Sequence, residues 1–192
     1  LSSLFASAEV LSRLSHKYQM SIVIKASLSL IVLIAGIYPY WGNTAKSGVL
    51  EPILEFGIFP SAVLIVVFFT AIGLYCKALQ TTLELVQPQN RKASPRSVWF
   101  MFLLPYNFIE DFFIVINISR SLEREAETNP DFCRDRDFGM ITGIGWAIAQ
   151  IMSFIPNIVG QLAGALGVIL WIWHWVFIHK VNTVLAARRH EK

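Results

Sequence analysis

The side chains best placed to do chemistry are two adjacent carboxylates, Glu110 and Asp111, flanked by Asn107 and Asn117. All four lie inside the apolar stretch Val98 to Ile118, VWFMFLLPYNFIEDFFIVINI. Paired carboxyls and amides at membrane depth suit a proton or cation relay, because ionisable groups there are retained for function by default. The alternative role is anchoring. Close to an interface the carboxylates would pair with cations at span ends, such as Lys25, Lys77 or Lys180. A charged group at the bilayer centre costs roughly 2.5 to 3.5 kcal/mol on insertion scales, and much less near the head groups. The anchoring role is therefore preferred at this point.

Other reactive residues are sparse. Of His16, His174, His179 and His190, only His174 lies well inside an apolar run, between Trp173 and Trp175. It lacks a second histidine at similar depth for a bis-histidine haem, so it reads as a packed, hydrogen-bonded side chain. Cys76 and Cys133 show no CxxC or Cys/His spacing and read as free thiols. No metal and no cofactor is expected. P-loop, dinucleotide, nucleophile-elbow and HExxH patterns are missing, and Gly143-Ile144-Gly145 sits within an apolar run with no strand before it. A non-catalytic protein is expected. A pore would have to be lined by Ser27, Ser29, Thr70, Thr142, Gln150 or Gln161, a thin polar supply.

The elements that must position these groups are hydrophobic. Of 192 residues, 55% are hydrophobic and 15% charged, with a mean hydropathy of +0.55, whereas a soluble domain carries about 25% charged residues. Apolar runs over 22–41, 53–76, 139–155 and 158–178 each approach the roughly 17 to 25 residues that a helix needs to cross a bilayer. Residues 1–20 have an amphipathic helical pattern suited to the interface, and they fit that better than a cleavable signal or transit peptide. Lys25, Trp41, Trp99 and Trp175 are the expected interface anchors. The net charge of +3 comes from basic residues that flank apolar runs, which argues for lipid contact and against nucleic acid.

The 98–125 segment decides the topology. Were it a fifth span, the basic residues would divide seven against nine. If instead it dips into one leaflet and returns, every Lys and Arg of the 16 except Lys46 falls on one side. That asymmetry is the one expected of a cytoplasmic face. Helical spacing agrees. Along 106–125, Asn107, Glu110, Asp111, Asn117, Ser121 and Arg124 share one face, while Phe108, Ile109, Phe112, Val115 and Ile116 share the other. The expected fold is thus all-α: a single membrane domain over 1–192, an integral helical bundle of four transmembrane helices plus a membrane-dipping, interfacial helix. Trp99 to Leu104 would form the ingoing arm and Pro105 the turn. Both termini are expected in the cytoplasm.

From Gly139 to Ile178 no Asp, Glu, Lys or Arg occurs, and Pro156-Asn157 marks a short turn between two helical arms. Gly139 and Gly143 recur at four-residue spacing in the first arm, and Gly160 and Gly164 in the second. Small residues at that spacing let helices approach closely.

Trp99, Phe102, Pro105 and Asn107, followed by Phe112, Phe113, Ser121 and Leu122, resemble a motif of small four-span bacterial membrane proteins of uncharacterised function. Pro156, Gly160 and Ile169-Leu170-Trp171 are similar to the later hairpin of such proteins. The pair Glu110-Asp111 departs from that pattern, which more often has aromatics there. The resemblance implies a bacterial inner membrane and four spans, and no activity. The expected function is an accessory or scaffolding subunit, with other membrane subunits or a second copy as partner. The alternative is a small-solute or ion transporter or channel that uses the polar face of the 106–125 helix.

Overall fold

A computed structural model describes residues 21–38, 57–128 and 137–190. Among them the chain forms helices α1 (Ser21–Ile37), α2 (Ile58–Leu85), a 3-10 helix (Pro95–Phe102), α3 (Asn107–Thr128), α4 (Met140–Met152) and α5 (Ile158–His190), with no strand. The interfacial helix expected over 1–20, and the anchor Trp41, lie outside the described residues.

Helices α2 and α5 are long and apolar enough to cross a membrane, and their most apolar windows are only 11% and 17% buried. A core helix of a soluble protein would be covered, so this exposure points to membrane association. The apolar helices α1 and α4 are shorter. Helix α4 has 13 residues, about 20 Å at 1.5 Å per residue, because the chain leaves the helix at Ser153 and turns before Asn157. The expected run over 139–155 is therefore a shorter helix plus a turn. In contrast, α2 continues well past the expected end at Cys76, to Leu85.

Local chemistry explains the ends. Asn157 Oδ1 accepts from the backbone N–H groups of Val159 and Gly160, capping α5. A side chain on Gly160 would collide with the Ile155 carbonyl, so this glycine serves the turn rather than a helix-packing face. The Asp137 carboxylate accepts from Ile141 N–H at the start of α4, where the helix dipole favours a negative group. At the end of α2, Arg91 donates to the carbonyls of Glu84 and Val86, which the helix itself leaves without donors.

Side-chain pairs fix the helix directions. Tyr75 meets His174, and Thr82 and Ala78 meet Asn182, so α2 and α5 run parallel. Gly143 faces Val115, Phe154 packs on Phe108, and Ser119 donates to the Phe138 carbonyl, so α3 runs antiparallel to α4. The 3-10 helix climbs back along α2: Trp99 donates to Gln80, Cys76 packs on Val98 and Met101, and Phe102 stacks on Phe69. After the turn at Leu104–Pro105, whose peptide bond is cis, α3 returns. The chain thus runs in along α2, turns at Pro105 where a turn was expected, and returns as α3.

The lie of α3 differs from expectation. Its polar face was expected to meet head groups, yet Asn107, Glu110, Asp111, Ser121 and Glu125 are all buried. The reason is that α3 is covered on two sides. Val115 and Phe108 meet α4, while Ile114, Ile118 and Leu122 join Tyr75, Leu79 and Leu83 of α2 and Ile178 and Leu185 of α5 in one core. Only towards its C-terminus do charges such as Arg120, Glu123 and Arg124 reach the surface. There Glu125 accepts from Asn90 and from Gln87 N–H, and Ser121 from Lys92 N–H, which ties the loop after α2 to α3.

Candidate functional site

The first turn of α3 points its amide and its second carboxyl into a cavity of about 220 Å³ between α2, α3, α4 and α5. Asn107 and Asp111 occupy one wall. Phe68, Ile72 and Tyr75 of α2, Met101 of the 3-10 helix, Trp146 and Gln150 of α4 with Ser153 at its C-cap, and Gly164, Gly167, Val168 and Trp171 of α5 complete it. The lining is mostly apolar and aromatic with a few converging polar groups, the usual make-up of a small-molecule site.

The two carboxylates have different fates. Glu110 turns away to α1, where Lys25 Nζ donates to its Oε2 at 2.7 Å. Asp111 is 1% exposed, and its Oδ1 finds no hydrogen-bond partner, nor does Oδ1 of Asn107. Buried polar atoms are nearly always paired, and these two oxygens are among five buried side-chain atoms of the described residues that depart from the rule, the others being nitrogens of Trp171, His174 and Trp175. Burial first, and the neighbouring Glu110 carboxylate second, hold the Asp111 carboxyl well above its ordinary value of 3.8.

Tyr75 is the hub of the opposite wall. Its ring lies 5.7 Å from both Trp146 and Trp171, at 84° and 80°, so the three rings meet in near-perpendicular corners. Its hydroxyl is 2.7 Å from Nδ1 of His174. His174 is thus the packed, hydrogen-bonded histidine that the sequence suggests, while its Nε2 has no partner and faces Gly139 and Gly143. Trp171 and Trp175 also bury their indole N–H groups without acceptors.

The remaining expected residues scatter. Asn117, further along α3, is not among the cavity-lining residues, and its carbonyl accepts from Ser121. Gly143 packs α4 against Val115 and His174, Gly139 sits under Phe177 and His174 with φ near 77°, and Gly164 lines the cavity. Of the anchors, Lys25 is committed to Glu110 and to the face of Phe113, with its Nζ 4.0 Å from the ring centre, instead of reaching for a head group. Trp99 is exposed and bonded to Gln80, and Trp175 is half-buried against Tyr75, Trp171 and His179. Of the polar residues that a pore could use, Gln150 lines the cavity. Ser29, Thr70 and Thr142 spend their hydroxyls on backbone carbonyls.

Tyr75, Met101, Trp146 and Trp171 were not singled out by sequence reasoning as site residues. Each reads as an ordinary apolar residue in its own run, and only the parallel pairing of α2 with α5 brings Tyr75 to His174. Among the described residues no cluster of three His, Cys, Asp or Glu could hold a metal ion. Comparison of the chain with family models, curated proteins and solved structures found no match in any of the three.

Proposed function

We propose that this is a non-catalytic integral membrane protein of the bacterial inner membrane with four passes and cytoplasmic termini, and that it carries a small solute through the cavity beside Asn107 and Asp111. The observation behind this reading is the pair of orphaned oxygens on the wall of an otherwise apolar cavity. A scaffold gains nothing from burying a carboxyl without a partner, whereas a solute site gains an acceptor. The orientation draws support from the placement of every Lys and Arg but Lys46 on one side of four spans.

The test is access. In a protein with Cys76 and Cys133 replaced by serine, Ser153→Cys places a thiol on the cavity wall. Neutral, membrane-permeant methyl methanethiosulfonate should modify it in the folded protein. A thiol that stays unmodified in the folded protein, while reacting after denaturation, would sink the solute reading.

The accessory-subunit reading is favoured by a different feature, an apolar groove along α4 and α5 lined by Gly145, Ala149, Ala163, Leu162, Leu166 and Leu170 among others. Small residues flanked by leucines suit a further helix. Co-migration with larger subunits on native gels would support it, and uptake by the purified protein alone would argue against it.

A further inference from the structure

We infer that the cavity takes an organic monocation, an ammonium group on a compact apolar body, seated against Asp111. This rests on the solute-site reading above and adds the class of ligand.

The charge inventory of the cavity points one way. Among the described residues, Asp111 and Tyr75 are the only ionisable ones lining it, and no Lys or Arg is among them. The Tyr75 hydroxyl is engaged with His174 Nδ1. The cation that could have neutralised the acidic pair, Lys25, is held by Glu110 at 2.7 Å. An anion would therefore meet Asp111 with only neutral donors such as the Trp171 indole and no positive charge to offset it, and a cation would meet the unpartnered Oδ1 atoms of Asp111 and Asn107.

The walls agree with the charge. Phe68, Tyr75, Trp146 and Trp171 surround the space, and the perpendicular packing of Tyr75 against the two tryptophans presents ring surfaces in more than one direction. Aromatic faces attract cations through the ring quadrupole, best where water is excluded, and they accept the methyl groups of a quaternary ammonium equally well. At about 220 Å³ the cavity is smaller than drug-sized pockets, which limits the ligand to a compact cation.

The same carboxyl then holds either a proton or the cation. The groups around Asp111 are Glu110 on its own helix with Lys25 of α1 beyond it, Tyr75 and Cys76 of α2, and His174 of α5 behind Tyr75. Among the described residues, helix α4 and its C-cap bring the uncharged Trp146, Gln150 and Ser153, and the 3-10 helix brings Met101. Burial favours the protonated carboxyl, so acid should compete with the ligand at a pH above the ordinary carboxylate range.

The experiment measures binding of benzyltrimethylammonium to the purified full chain in nanodiscs by calorimetry. Neopentylbenzene, of the same shape but without charge, serves as the control probe. The expected result is saturable binding of the cation, at least tenfold weaker binding of the neutral probe, and a tenfold or greater loss for the cation in Asp111→Asn. In the wild-type protein, affinity should rise with pH, with up to one proton released per cation bound. That measurement needs no variant and stands even if Asp111→Asn misfolds. Equal affinities for the two probes, with no pH dependence, would overturn the cation inference and leave the solute site standing. Binding of neither probe by a protein whose Ser153→Cys thiol is also unreactive would remove both.

Discussion

Lys25 of α1 donates to Glu110 of α3 at 2.7 Å, across 85 residues of sequence, with both side chains largely withdrawn from solvent. This ion pair ties the first described helix to α3, and it leaves Asp111 as the carboxyl facing the cavity. Removing one member of a buried pair strands the other. Lys25→Met should therefore destabilise the protein by about 3 kcal/mol, with much of the loss recovered in the Lys25→Met, Glu110→Gln double variant. Denaturation of detergent-solubilised protein measures both, and simple additivity of the two substitutions would refute the coupling.

Asp111 should give stability an inverted pH dependence. Its folded-state pKa lies above the unfolded value, so between the two the folded protein binds a proton that the unfolded chain has lost. Stability contributed by this group is present at acid pH and is lost as pH rises from the ordinary value of 3.8 towards the folded one, by about 1.4 kcal/mol per unit inside that window. The difference in melting temperature between wild type and Asp111→Asn, followed across pH, isolates the effect. A difference that stays constant with pH would contradict it.

Tyr75→Phe removes the hydroxyl partner of His174 Nδ1 and keeps the ring contacts with Trp146 and Trp171. An imidazole buried with neither nitrogen partnered costs about 1 to 3 kcal/mol. The loss should vanish in a His174→Leu background, which a double-mutant cycle would read directly.

Gly143→Ala should destabilise by about 1 to 3 kcal/mol through overpacking, because the added methyl would lie 2.5 and 2.8 Å from the two methyl carbons of Val115. Val115→Ala makes room, so the double variant should recover part of that loss. Thermal unfolding of the three variants decides this. Wild-type stability in Gly143→Ala alone would mean that α3 and α4 sit farther apart.

Topology is open to a chemical test. In a Cys76→Ser protein, Cys133 should resist an impermeant maleimide in intact cells and react once the membrane is opened. Labelling from outside would refute the four-pass arrangement with a cytoplasmic N-terminus.

Much of the fold is legible in the sequence because membrane helices announce themselves by length and hydropathy. The long apolar helices α2 and α5 fall on the runs expected over 53–76 and 158–178, α1 covers the described part of the run over 22–41, and the chain turns at Pro105 as expected. The periodicity of 106–125 also identifies Asn107, Glu110 and Asp111 as one face. What periodicity cannot say is what that face meets: a stripe of polar residues looks the same whether it borders head groups or a cavity. Lys25 was correctly among the cations available to the pair, yet it answers only Glu110, a choice made by where α1 stands. The aromatic wall was illegible for a related reason. Tyr75, Trp146 and Trp171 come from three separate apolar runs, and nothing in any one run marks a residue that another helix will complete.

The parallel contact between α2 and α5 carries a parity argument that is independent of charge. Leu85, Thr128 and His190 finish at the same end of the bundle, since Asn90 of the loop after α2 bonds Thr128 and Asn182 of α5 bonds Ala78 and Thr82 of α2. The ingoing 3-10 helix and the outgoing α3 therefore cancel, and α4 alone supplies the return that lets α5 start again from the far end. The 3-10 helix and α3 can be lengthened or shortened together without changing which end of the bundle α4 and α5 reach. A site built at the turn between them is in that sense topologically free to vary.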